Sequence, residues 1–278
     1  MADLTINPLT QSIGVEVVGV DVDRLLHDDA LPKQIQVALE EHGVLVFPKL
    51  NPDPHTQVAV CQRLGEVDLL AGEDPGIMRV SLDPSKAASA QYLRGTFNWH
   101  MDGVTLPPGR NPAATTILTA VALAEKGGQT EFASTYVGYD SLTPEEKERF
   151  GKLRVLHSVA ATMRLLTPDA TPDREPGAAI NSTREQPLVW THRSGRRSLV
   201  IGATTDRVIG MDEPTGRALL DDLLERSTRP ERVYRHEWSI GDTVMWDNRG
   251  VLHRVEPYED DSAREMIRTS LLGDEPIE

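Results

Sequence analysis

The sequence predicts a mainly β protein with surrounding helices, built on a double-stranded β-helix (jelly-roll) core. From residue 77 onward, short alternating or β-branched segments recur between turns rich in Gly and Pro. Helical patterns are fewer. Some lie before residue 65, and the others are isolated segments between the later strands. Because no repeat, low-complexity tract or linker interrupts the chain, we expect one domain spanning residues 1–278.

The first 65 residues combine strands and helices. Residues 14–20 alternate and predict a strand. Residues 31–42 predict a helix that ends at Gly43, and the apolar run 44–47 predicts a buried strand. A second helix is expected over residues 54–64, where Asp53 is the candidate N-cap.

The rest of the chain is dominated by predicted strands. They are expected at 77–82, 114–124, 129–132, 155–161, 187–192, 198–201, 233–238, 243–246, 250–255 and 266–272. Helices are expected at 135–141, 144–150 and 214–227, and Thr143 with Glu146 forms a capping-box pattern before the second of them. Residues 84–90 predict a loop, and residues 165–185, which are rich in Pro, predict a loop or lid.

Composition excludes several classes of protein. The formal net charge of −14 argues against nucleic acid or an anionic membrane as the main partner. Cys61 is the only cysteine, which excludes an intrachain disulfide and thiolate metal sites, and it is interpreted as a small buried residue on a helix. The N-terminus lacks a signal-peptide pattern and no stretch is apolar enough to span a membrane, so a cytoplasmic protein is expected.

The candidate metal ligands are His100, Asp102 and the distant His253. In an extended backbone His100 and Asp102 point to the same side. Two imidazoles and one carboxylate would leave three open positions on an octahedral metal, as in non-haem Fe(II) oxygenases. The other histidines receive structural interpretations: His157 and His192 in strands, and His27, His42, His55 and His236 at the surface or at helix ends.

Two arginines near the C-terminus suggest an anion site. Arg264, Met266 and Arg268 share the parity of one predicted strand, so both guanidinium groups can face the interior. Buried arginines require anionic partners, and a guanidinium suits carboxylates, sulfonates and phosphates. Two surface cations balancing nearby acidic residues are the alternative.

Four motifs resemble one enzyme family. They are Trp99-His100-x-Asp102, Gly127-Gly128-x-Thr130, Trp246-Asp247-Asn248-Arg249-x-x-x-His253 and Arg264-x-x-x-Arg268. The chain resembles, over nearly its whole length, the Fe(II)/2-oxoglutarate-dependent dioxygenases that include taurine dioxygenase and the aryloxyalkanoate dioxygenases.

This resemblance implies the roles of individual residues. His100, Asp102 and His253 would be the catalytic iron ligands, Thr130 and Arg264 would bind the distal carboxylate of 2-oxoglutarate, and Arg268 would bind the acidic group of the substrate. Fe(II), 2-oxoglutarate and O2 would be required. The reaction would hydroxylate the substrate, in some cases with subsequent bond cleavage, and release succinate and CO2. The carboxylate of Asp102 disfavours halogenation.

Other residues receive secondary roles. Thr96 and Asn98 precede the first ligands and are candidates to line the substrate site. Asp247 and Asn248 are candidates to orient the strand that carries His253.

The substrate is predicted to be a small organic anion. Taurine-type members use an additional upstream histidine to bind sulfonate, and none lies between Thr56 and Trp99. A carboxylate is therefore the first expectation, with sulfonates, sulfate esters, phosphonates and phosphate esters as alternatives. Family members commonly associate, so a homo-oligomer is possible. A non-catalytic anion-binding β-barrel and a zinc hydrolase with the same three ligands are the alternatives from other classes.

Overall fold

The computed structural model describes residues 4–69, 74–83, 85, 93–166 and 183–278. The predicted loop at 84–90 lies outside the described residues except for residue 85. The predicted lid at 165–185 also lies outside them except at its two ends, which belong to a helix and to a strand.

The described residues form fifteen strands and seven α-helices. The strands are β1 Thr5–Pro8, β2 Val15–Val18, β3 Val44–Phe47, β4 Met78–Val80, β5 Thr115–Ala122, β6 Thr130–Ser134, β7 Arg154–Ser158, β8 Thr183–Pro187, β9 Val189–Thr191, β10 Arg197–Leu199, β11 Thr205–Val208, β12 Val233–His236, β13 Thr243–Asp247, β14 Val251–Val255 and β15 Glu265–Leu271. The helices are α1 Val22–His27, α2 Leu31–His42, α3 Pro54–Leu64, α4 Thr135–Asp140, α5 Pro144–Phe150, α6 Val159–Leu166 and α7 Glu213–Ser227, with 3₁₀ turns at Arg94–Phe97 and Pro230–Arg232.

One face of the core is a seven-stranded sheet in the order β1-β2-β3-β13-β5-β15-β4. Its neighbouring strands are antiparallel except β2 and β3, which are parallel. This order brings β5, β13 and β15 together from distant parts of the chain. The centre of this sheet therefore carries Thr116 and Arg268 on adjacent strands.

The opposite face consists of smaller sheets, of which β12-β6-β14 is the one nearest the site. Phe132 on β6 packs in one cluster with Val46, Leu118, Val244 and Trp246 of the large sheet. Apolar side chains from both sheets thus fill the space between them, as expected for a double-sheet core. The predicted jelly-roll architecture is confirmed.

Helices α2 and α3 cover the outer face of the large sheet. Ile35 and Leu39 of α2 and Val60 of α3 pack with Leu45 and Met245 of the sheet. The predicted N-cap Asp53 accepts hydrogen bonds from the backbone N–H groups of residues 55 and 56. Cys61 is fully buried on α3, and burial raises the pKa of its thiol to about 12, so it is a packing residue as predicted.

The sequence patterns predicted most of the helices and strands. Where the structure differs from these predictions, the difference has a physical cause. The strand predicted at 155–161 ends at Ser158, whose hydroxyl accepts a hydrogen bond from the N–H of Ala161 at 3.0 Å and begins helix α6. Strands β1 and β11 and helix α1 were not predicted, and each has only four to six residues. None of the described helices has the length and apolarity needed to cross a bilayer.

Candidate active site

His100 and His253 lie side by side at the β14 edge of the three-stranded β12-β6-β14 sheet, called the small sheet below. Each donates its backbone N–H to the carbonyl of the other, at 3.0 Å in both directions, and the ring centroids lie 4.1 Å apart. Nδ1 of His100 lies 2.9 Å from the carbonyl oxygen of Asn98. If Nδ1 donates its hydrogen there, the lone pair of Nε2 is free to bind a metal.

Asp102 completes the cluster. Its Oδ2 lies 3.8 Å from Nε2 of His253, and one ligand atom each from His100, Asp102 and His253 can be chosen so that all lie within 4.8 Å of one another. Arg268 donates from Nη2 to the same Asp102 oxygen at 2.6 Å. The structure therefore brings the three candidate ligands together, with Arg268 beside them. His253 is at least 151 positions from the other two ligands in the sequence.

The pKa shifts of the three side chains keep them in the deprotonated forms that bind a metal. Burial lowers the pKa of His100. Burial, reinforced by repulsion from His100, lowers the pKa of His253 to about 3. Burial opposes ionisation of Asp102, but attraction to the Arg268 cation, and to His253 and His100 when these are protonated, outweighs it and lowers the pKa of the carboxyl to about 2. At neutral pH the cluster thus offers two neutral imidazoles and one carboxylate, a donor set that fits Fe(II).

Arg264 is buried close to the turn before β6. It is 1% exposed, and its Nε donates to the carbonyl of Gly128 at 3.1 Å, two residues before Thr130. Its Nη2 is buried without a hydrogen-bond partner among the described residues. Burial lowers the pKa of Arg264 and outweighs the opposing interaction with Tyr258, so the cation is destabilised there. A buried guanidinium with an unused donor fits an anionic ligand such as a carboxylate.

A cavity of ≈ 130 Å³ opens beside the cluster. Its lining includes His100, Asp102 and Arg268, together with the predicted substrate residue Thr96. The apolar residues of the lining are Met78, Leu93, Met101, Val104, Val159 and Met163. Asn98 is not part of the lining, and its backbone carbonyl instead contacts the ring of His100. A second cavity of ≈ 310 Å³, which also borders Asp102 and Arg268, lies towards Arg110 and Asn111.

Thr116 is a site residue that the sequence did not indicate. Its fully buried hydroxyl donates to Oδ2 of Asp102 at 3.3 Å and accepts from Nδ2 of Asn248 at 2.9 Å. Asn248 therefore reaches Asp102 through Thr116, whereas Asp247 pairs with Arg249 at 2.8 Å in the turn before β14. A threonine in a β-strand carries no special signal, so only the alignment of β5 with the loop of Asp102 could reveal it.

We expect Thr116→Val to weaken Fe(II) binding while preserving the fold. Valine has the same shape but cannot orient Asp102, and it leaves the amide of Asn248 without its acceptor. Loss of such an outer partner costs about 10- to 100-fold in metal affinity. Anaerobic Fe(II) titration measures the effect.

Thr119→Val is the matched control, since Thr119 lies on the same strand and its buried hydroxyl bonds Thr243 at 2.8 Å. This variant should lose stability without losing iron affinity. Equal iron affinities for both variants would contradict the role of Thr116.

Comparison with known proteins gives a consistent result. Residues 5–270 match the model of the family described as taurine catabolism dioxygenase TauD, TfdA family. The (S)-phenoxypropionate/alpha-ketoglutarate-dioxygenase of Sphingobium herbicidovorans is 31% identical, over 97% of this chain and 95% of that protein. The alpha-ketoglutarate-dependent 2,4-dichlorophenoxyacetate dioxygenase of Cupriavidus pinatubonensis is 33% identical, over 96% and 97%. The crystal structure of AAD-2 with Mn(II) and N-oxalylglycine superposes with a TM-score of 0.84 at 30% identity, covering 100% of both chains.

Proposed function

The chain belongs to the TauD/TfdA family of dioxygenases, and from this premise we propose that it oxidises a small organic carboxylate held beside His100, Asp102 and His253. The enzyme is a dioxygenase that depends on Fe(II), 2-oxoglutarate and O2. The convergence of the three candidate ligands with Arg268 and an apolar cavity is the observation that carries the proposal. Neither zinc hydrolysis nor anion binding alone, the alternatives left by the sequence, has support among these relatives.

His100, Asp102 and His253 are the proposed iron ligands. They would hold Fe(II), which would supply the activation of O2 for oxidation of a substrate C–H bond, coupled to oxidative decarboxylation of 2-oxoglutarate to succinate and CO2. The contribution of the chain is to fix the three ligands on one side and leave the other open. The backbone pairing of His100 with His253 and the hydrogen bond from Thr116 to Asp102 support this role.

Thr130 and Arg264 are proposed to hold the distal carboxylate of 2-oxoglutarate. The unpartnered Nη2 of Arg264 supports this assignment, since a carboxylate would satisfy it and neutralise the buried charge. Thr130 lies two residues beyond the carbonyl that Arg264 contacts, and it is 1% exposed. An anion bound there would be shielded from water, which strengthens its attraction to Arg264.

Arg268 is proposed to orient the acidic group of the substrate. Although Nη2 is engaged by Asp102, its Nε is buried without a hydrogen-bond partner among the described residues. Arg268 shares the lining of the ≈ 130 Å³ cavity with six apolar residues, so a carboxylate at this donor would leave the rest of the molecule in a partly apolar cavity. The favoured substrate is therefore an acid with an apolar body, positioned so that a carbon near the acid group is oxidised.

Paired substrates test this assignment. We expect an aryloxyalkanoic acid to stimulate succinate release far more than its carboxamide, which has nearly the same shape without the charge. Loss of a charge-assisted hydrogen bond costs about 1.5–3 kcal/mol, or about 12- to 160-fold in kcat/KM. Equal stimulation by acid and amide would refute an anion-binding role for Arg268, and preference for the matching sulfonate or sulfate ester would change the substrate class.

The catalytic centre has its own test. Anaerobic addition of Fe(II) and 2-oxoglutarate should produce a weak visible charge-transfer band in the unmodified protein and none in His100→Ala. A protein that binds only Zn²⁺ and gives no band with Fe(II) would contradict the proposed centre. The predicted cytoplasmic location and homo-oligomer stay predictions.

A further inference from the structure

The hydroxyl of Thr130 accepts a hydrogen bond from Trp238. The indole Nε1 of Trp238 lies 3.0 Å from Oγ1 of Thr130. An indole N–H can only donate, whereas a threonine hydroxyl has one hydrogen and two acceptor positions. The bond from Trp238 thus occupies an acceptor position and leaves the hydroxyl hydrogen of Thr130 to be donated to another group.

No acceptor for that hydrogen occurs among the described residues, and a second unused donor lies nearby. Nη2 of Arg264 is buried and unpartnered, while its Nε is anchored to Gly128 two residues before Thr130. Gly128 also approaches Arg264 so closely that a Cβ at this position would lie 2.9 Å from Cδ of Arg264. The guanidinium group therefore lies against the turn that leads into β6. Two donors that lack acceptors at one end of β6 match the two oxygens of a carboxylate.

Trp238 is itself held by a buried polar cluster. The ring of His236 packs edge-on against the indole, with centroids 4.4 Å apart and planes at 88°. His236 is only 5% exposed, so its interpretation as a surface or helix-end residue was wrong. Nδ1 of His236 lies 2.8 Å from the hydroxyl of Tyr234, and Nε2 lies 3.3 Å from Oδ2 of Asp242.

Asp242 ties this cluster to the backbone on two sides. Its carboxylate accepts from the N–H of Ser239 at 2.8 Å and from the N–H of Lys49, in the turn after β3, at 2.9 Å. The pairing of β12 with β6 also places His236 directly opposite Thr130. The indole is therefore fixed relative to Thr130 by both strand register and side-chain packing.

We propose that Trp238 is a positioning residue for 2-oxoglutarate, which orients the Thr130 hydroxyl so that its hydrogen is donated to the distal carboxylate. This inference rests on the proposed function, because it assumes that Thr130 and Arg264 bind that carboxylate. Trp238 does not contact the iron ligands in this scheme. Its effect is transmitted through one hydrogen bond, which makes it separable from a general packing role.

The test is a double-mutant cycle read by 2-oxoglutarate binding to the anaerobic Fe(II) protein. Trp238→Phe keeps an aromatic ring but removes the N–H, and we expect it to weaken 2-oxoglutarate binding about five- to tenfold, within the range for one hydrogen bond. Iron affinity and kcat at saturating 2-oxoglutarate should be unchanged. In a Thr130→Val background the same substitution should have almost no further effect, because the acceptor is already gone.

Trp190→Phe is the matched control, since Trp190 is 1% exposed and its Nε1 has no hydrogen-bond partner among the described residues. It should leave 2-oxoglutarate affinity unaltered. Replacement of Trp238 by benzothienylalanine, which retains the indole shape without the N–H, keeps the test decisive if Trp238→Phe folds poorly.

Normal 2-oxoglutarate affinity in the N–H-deficient variants, or an equal loss in the Thr130→Val background, would overturn the proposal. Failure of the unmodified protein to bind 2-oxoglutarate would instead overturn the proposed function.

Discussion

Substitution of His253 by alanine is expected to abolish Fe(II) binding and turnover. His253 is 5% exposed, and its ring packs 4.8 Å from Trp246 and 4.1 Å from His100, so the substitution deletes a candidate ligand at a buried position. Loss of an outer partner of a metal ligand already costs about 10- to 100-fold, so loss of the ligand itself should cost more than about 100-fold in iron affinity. Bound iron measured after gel filtration, together with succinate release, checks this result.

His192→Ala separates metal loss from general destabilisation. His192 is as buried as His253, at 4% exposed, and its Nε2 lies 2.8 Å from the hydroxyl of Ser198, which in turn contacts the carbonyl of Arg249. This variant should lose stability while it retains stoichiometric iron. Full iron occupancy in His253→Ala would mean that the three-ligand site is wrong.

Replacement of Arg264 by methionine should remove 2-oxoglutarate binding and leave iron binding intact. Removal of one member of a buried charge pair costs about 2–5 kcal/mol, so the affinity for 2-oxoglutarate should fall by about 30-fold or more. The ligand-free protein should be as stable as the unmodified one or more stable, because methionine eliminates a buried cation whose Nη2 has no partner. Isothermal titration with 2-oxoglutarate and the ligand-dependent rise in Tm measure both effects.

Arg235→Met is the control for a lost positive charge. Arg235 forms two hydrogen bonds with the carboxylate of Glu256, at 2.7 and 2.9 Å, on an exposed part of the small sheet. Neither 2-oxoglutarate affinity nor Tm should change by much, since exposed ion pairs contribute little. If Arg264→Met bound 2-oxoglutarate as tightly as the unmodified protein, Arg264 would have to be assigned a purely structural role.

The contrast between the two arginines also has a functional meaning. Arg268 has an anionic partner within the protein, Asp102, whereas Arg264 has a backbone carbonyl and the ring of Tyr258 4.9 Å away. Arg264 is therefore the arginine whose guanidinium group lacks an anionic partner among the described residues. This difference supports a tightly held 2-oxoglutarate carboxylate at Arg264 and a more exchangeable substrate group at Arg268.

By itself, the sequence was sufficient to determine the fold class, most of the helices and strands, and the residues that converge on the candidate metal site. Helix α2, with its end at Gly43, and the capping box of Thr143 with Glu146 were predicted from local patterns because caps and hydrophobic periodicity act over a few residues. The motifs around His100 and His253 predicted the candidate ligand set because each is contiguous in the chain.

Only the tertiary structure decided which groups surround those residues. The bond between Asn248 and Thr116 joins positions 132 apart, and the bond between Trp238 and Thr130 joins positions 108 apart. Likewise, His236 is buried because β12 pairs with β6 and Asp242 closes the adjacent turn. Such contacts depend on strand order and register across the sheets, which local periodicity does not specify, so they follow only when the strands are assembled.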